Sequence, residues 1–203
     1  MRIFNILLAI TAVGIWISCG PRWTAFPQGI DEFEKCRPLN SNPQMIIVPG
    51  FEGSSIIIDR GSCHIMDRER VSIGLTIFLE EWNKSFASRQ NNRLVSEAVN
   101  NLMIEFSSEN KVSNNVYSTS GEKVFRASLN GLMISPRIMW VKARPGERLC
   151  HTSFAHELIH AGIWAIKKTD GDPDHLGKKY TGWSQKHMLV MQKVNERLCE
   201  LGI

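Results

Sequence analysis

Ser153-Phe154-Ala155-His156-Glu157-Leu158-Ile159-His160-Ala161-Gly162-Ile163-Trp164-Ala165-Ile166-Lys167-Lys168 is the segment from which the rest of this sequence is best read. Phe154, Leu158, Ile159 and Trp164 recur at helical spacing, so the segment predicts a helix over 153–168. Thr152 and Ser153 offer an N-cap, Lys167 and Lys168 suit the negative end of the dipole, and Thr169-Asp170-Gly171 is expected to stop the helix. Only on a helix do residues i and i+4 share a face, so His156 and His160 would present two imidazoles one turn apart. Two such rings can each offer a nitrogen to one tetrahedral zinc ion. Glu157 adjoins the first histidine and can face a zinc-held water without ligating the metal. It would take the water's proton and so generate the nucleophile for attack on a carbonyl.

The rest of the chain supplies a core for that helix. Its 203 residues are 43% hydrophobic and 22% charged, which suits one globular domain and excludes a disordered chain. The net charge of +4 is too small and too scattered to argue for nucleic acid. Residues 45–48 and 55–59 read as short strands around Pro49, Gly50 and Gly53. Residues 72–88 and 94–102 read as helices, the second running into a strand at 103–106. Residues 111–122 read as a loop, and 124–127 and 132–142 as further strands. Residues 184–201 read as a last helix whose apolar face carries Met188, Met191, Val194, Leu198 and Leu201.

His156-Glu157-x-x-His160 resembles the zincin metallopeptidases, and the resemblance runs from about Phe154 to Trp183. It implies an α+β fold: a single zincin-like domain over residues 43–203, with a small mixed sheet packed on a catalytic helix and a C-terminal helix completing the core. In zincins the sheet's edge strand receives the substrate in extended form, and the stretch 132–142 fits that place. The resemblance also requires a third zinc ligand. One zincin class has a histidine six residues after the second ligand, where this chain has Ile166. Another uses a downstream glutamate, but Glu196 falls on the outer face of the last helix. His175, in the turn-rich Asp170-Gly171-Asp172-Pro173-Asp174-His175, is the expected third ligand beside His156 and His160. His187, Asp172 and Asp174 remain alternatives. Tyr180 is a candidate donor to the oxyanion of the reaction, or simply a packed ring. Trp183 is expected to fill the seam between the two C-terminal helices, His151 to reach solvent, and His64 to be structural or exposed.

Residues 3–17 are almost wholly apolar and end in Ile17-Ser18-Cys19-Gly20, which resembles a bacterial lipoprotein signal. The resemblance implies cleavage after residue 18, a lipid on Cys19, a tether over 19–42 and residence in a bacterial cell envelope, outside the cytoplasm. A plain secretory signal or a short anchor would place the chain outside as well. Lipidation would leave four of the five cysteines, which suggests two disulfides with three possible connectivities; the expected one is Cys36–Cys63 and Cys150–Cys199, the second joining two C-terminal helices. The expected activity is a zinc-dependent peptidase acting on a peptide or protein substrate. A zinc amidase on cell-wall material and a non-catalytic binding or adhesion module are the alternatives.

Overall fold

The computed structural model describes residues 24–25, 44–58, 67–107, 111–113, 116–117, 123–124, 127–144, 146–168 and 183–203. The fold is α+β. Among the described residues, ten strands precede two of the four helices: β1 Thr24–Ala25, β2 Gln44–Val48, β3 Phe51–Ile58, α1 Arg68–Ser85, α2 Arg89–Val99, β4 Met103–Ser107, β5 Lys111–Ser113, β6 Val116–Tyr117, β7 Lys123–Val124, β8 Ala127–Leu129, β9 Gly131–Ser135 and β10 Ile138–Lys142. The helices α3 Phe154–Lys167 and α4 Gln185–Glu200 close the order.

The main sheet has five strands in the order β2-β3-β4-β10-β9. Its three central strands are parallel, and the outer strands β2 and β9 run antiparallel to their neighbours. One cross-strand row runs Ile56, Ile104, Met139, Met133, and the next includes Phe106, Val141 and Gly131. Apart from Gly131, these side chains lie in the main core. Alternate residues of a strand face opposite sides, so this face is the one the helices cover. Val71, Leu75, Phe78 and Trp82 of α1, Phe154, Leu158 and Ile159 of α3, and Val190, Val194 and Leu198 of α4 join the same cluster.

Several sequence expectations shift at their boundaries, each for a local reason. The helix expected over 72–88 begins earlier, because the Asp67 carboxylate accepts the amides of Glu69 and Arg70. It ends before Ser88, whose hydroxyl instead caps α2 at Asn91, five residues ahead of the expected start of that helix. Residues 111–122 are not wholly a loop: β5 pairs with β8, and β6 pairs with β1 and β7. The strand expected over 124–127 divides into β7 and β8. Strand pairing is a long-range event, and periodicity over two or three residues cannot reveal it.

Cys150 and Cys199 form a disulfide. Cys150 lies in a 3-10 turn, Leu149–His151, rather than in a helix, so the bond ties that turn to the last turn of α4. The chain end lies beside it, with the Ile203 carbonyl accepting the Cys150 amide at 3.2 Å. The other expected disulfide, Cys36–Cys63, and the lipidation residue Cys19 lie outside the described residues. Among the described residues, no helix is long and apolar enough to cross a membrane.

Candidate metal centre

α3 occupies nearly the expected span, but both ends are made differently from the reading of the sequence. Ser153 is the N-cap residue without a capping bond of its own. Its hydroxyl donates to the Asn130 carbonyl at 2.6 Å, while Thr152 Oγ1 accepts the Phe154 amide at 3.2 Å. The start of α3 is therefore stapled to the residue preceding β9. At the other end the helix stops at Lys168, as expected, with Lys168 itself as the C-cap. Lys168 adopts a left-handed conformation, φ 62°, and its ammonium donates to the Ala165 carbonyl at 2.8 Å.

His156 and His160 converge. Their Nε2 atoms are 3.2 Å apart and their ring centroids 5.0 Å apart. Two nitrogens bound to one tetrahedral zinc, each at about 2.0–2.1 Å, would stand about 3.3–3.4 Å apart. The separation is that of two corners of such a site, and it is also that of a hydrogen bond between the two ring nitrogens, whose donor is set by the tautomers. Both rings are half-buried.

Glu157 is only 4% exposed. The space it fills is created by Gly131, the first residue of β9. A Cβ built on Gly131 would collide with Glu157 Oε1 and Ser153 Oγ and would lie 2.8 Å from Glu157 Cγ. The sheet row that carries Val141 toward the helices thus ends in the one residue type that leaves room for this carboxyl.

Trp183 forms one wall of the pair, its indole centroid 5.2 Å from His156 and 5.1 Å from His160. It fills the seam between α3 and α4, as the sequence suggests. His187, one of the alternative third ligands, is packed among aromatic rings. Its Nδ1 accepts the Ser184 amide at 2.9 Å, and its ring lies against Trp82 and Phe86 at 5.3 and 4.7 Å. Burial lowers its pKa to about 4, so the ring is neutral near pH 7. Among the described residues, no third His, Cys, Asp or Glu brings a ligand atom within 4.8 Å of both imidazole sites.

Cys150, His151 and Cys199 do lie that close to one another, but the two sulfurs are bonded to each other and offer no thiolates. His151 and Glu196 are exposed. His175, Tyr180, Asp172 and Asp174 all lie in 169–182, outside the described residues, as does His64. The chain leaves α3 at Lys168 and is next described at Trp183, against the two imidazoles.

Compared with protein-family models, with curated proteins and with solved structures, the chain gives no match. Function has to be argued from the site itself. The place of Gly131 and the contact of Trp183 with both imidazoles escaped sequence reading, although the seam position of Trp183 did not. Gly131 carried only the faint signal of a glycine at a strand start. Trp183 carried a better one, in Trp183-Ser184-x-x-His187-Met188, where an apolar residue before a capping serine is matched by another on the first turn.

Proposed function

We propose that this chain is a zinc-dependent hydrolase of the zincin type, a peptidase held in a bacterial cell envelope by a lipid on Cys19. The observation that carries the reading is the approach of His156 and His160 Nε2 to 3.2 Å, with the buried Glu157 between them in sequence. The two ring nitrogens share one hydrogen bond here, and the same convergence is the one a metal ion would use. His175, fifteen residues after His160 in sequence, is the proposed third ligand.

Zinc held there would polarise a scissile carbonyl and acidify a water. The protein does the rest. His156 and His160 fix the metal's position relative to α3. Glu157, set on Gly131, accepts a proton at its carboxylate and returns it to the leaving amine. β9 is the outer strand of the sheet and packs on α3, so an extended peptide added along it would run past Gly131 toward Glu157. Tyr180 is the proposed donor to the developing oxyanion.

Zinc analysis of the purified chain tests this reading. About one zinc per chain is expected, lost in His156→Ala, His160→Ala and His175→Ala. Full occupancy in all three variants would place the metal elsewhere. Loss in His156→Ala and His160→Ala alone would keep the pair and reject His175. Stoichiometric zinc with no hydrolysis across a broad peptide library would leave a binding module in place of an enzyme.

A further inference from the structure

The first turn of α4 is built so as to hold one side chain. Ser184 and His187 form a reciprocal capping box, in which the Ser184 amide and hydroxyl both meet His187 Nδ1 at 2.9 Å. Trp183 stands one residue before the cap. Its Nε1–H donates to Met188 Sδ at 2.8 Å, across the turn. An apolar residue before the cap packed on the fourth helical residue fixes the angle at which the chain joins the helix. Behind Trp183 lies His187, at 6.2 Å between centroids, itself backed by Trp82 and Phe86. The indole is thus held by a hydrogen bond, a cap and an aromatic stack, and it is 7% exposed.

What this anchored ring touches is the pair of imidazoles on α3, nearly equidistant from both. A helical histidine has several rotamers, and only one combination brings both Nε2 atoms to a single point. A rigid plane against both rings removes the alternatives for both together. α3 supplies the nitrogens and α4 supplies the surface that orients them. We propose that Trp183 is a positioning residue that pre-orders His156 and His160 for a metal ion and so raises metal affinity without being a ligand. This rests on the reading of the two histidines as metal ligands. Outer groups that orient ligating histidines commonly change metal affinity by about 10- to 100-fold when removed.

The experiment is zinc affinity of the full chain, measured by competition with a chromophoric chelator, for wild type and three variants. Trp183→Phe keeps a ring and is expected to bind within about threefold of wild type. Trp183→Ala is expected to bind about 10- to 100-fold more weakly. Val190→Ala loosens the packing of α4 at a fully buried residue seven positions beyond Trp183, and is expected to bind within about twofold. If Trp183→Ala does not fold, Trp183→Leu replaces it, filling most of the volume without a ring. Wild-type affinity in Trp183→Ala or Trp183→Leu overturns the proposal and leaves the metal site standing. Equal loss in Val190→Ala overturns it as well, by showing that general loosening suffices. A wild type that binds no zinc removes the metal site itself, and the positioning role goes with it.

Discussion

Gly131 at the start of β9 and Glu157 on α3 occupy one another's space: the carboxyl sits where a side chain of residue 131 would be. The relationship joins sheet to helix at the point where the proposed chemistry occurs. It is reinforced one residue away on the strand and one turn away on the helix, where Asn130 O accepts the Ser153 hydroxyl at 2.6 Å. A strand residue chosen for packing would have been Val, Ile or Leu, as at Val141 beside it.

Gly131→Ala should therefore act on Glu157 first. The added methyl must displace the carboxyl or the strand, and overpacking a closed site costs about 1–3 kcal/mol. Zinc occupancy should fall little, because neither imidazole is touched, while hydrolysis of any identified substrate should fall by roughly 10²-fold or more. Urea unfolding, zinc content and kcat measured together check this. Unchanged kcat with unchanged stability would mean that Glu157 is not held against the strand.

His187 makes the stability of the metal-free chain depend on pH. Its folded pKa, about 4, lies below the ordinary histidine value near 6.5. Between those values the unfolded chain takes up a proton that the folded chain refuses. This contribution is fully present above about pH 6.5 and is lost as pH falls toward 4, at up to about 1.4 kcal/mol per pH unit. His187→Gln keeps a side chain suited to the capping box and cannot titrate. Unfolding free energies of metal-free protein at pH 7, 6, 5 and 4 should show a shallower slope in the variant. Parallel slopes would show that His187 is hydrated or charged in the folded state.

The disulfide should matter to folding more than to chemistry. It closes a segment of separation 49, for which the chain-entropy account gives about 4 kcal/mol as an upper value. A Cys150→Ala/Cys199→Ala chain should unfold at distinctly lower urea concentration yet bind zinc normally while folded. Loss of zinc in the still-folded double variant would tie the turn at Leu149–His151 to the metal centre.

How much of this was legible beforehand follows from the range of the interactions involved. The helix carrying His156, Glu157 and His160 is written in local periodicity, and so is α4 with its buried His187. Counting cysteines left three pairings open, and the structure selects Cys150–Cys199. The end of α3 falls where the sequence puts it, but the left-handed residue there is Lys168, where composition would have assigned a glycine. Gly131 was invisible for a different reason. Its role depends on the register of β9 with β10 and on the packing of α3 across the sheet, and neither is a property of neighbouring residues. The paired short strands between residues 111 and 129 were missed on the same ground.

Glu157→Gln separates metal binding from catalysis. The substitution keeps the size of the side chain, and so the contact with Gly131, but removes its basicity. The chain should fold with wild-type stability and bind zinc within a few-fold of wild type, because residue 157 supplies no ligand in the proposed site. Hydrolysis should fall by roughly 10²- to 10⁴-fold, the usual contribution of a positioned general base. The informative contrast is with His156→Ala and His160→Ala, which should lose metal and activity together. It is informative with Gly131→Ala too, which should resemble Glu157→Gln in kinetics while also losing stability. Retention of most activity in Glu157→Gln, with zinc bound, would remove Glu157 from the chemistry and assign its burial to packing alone.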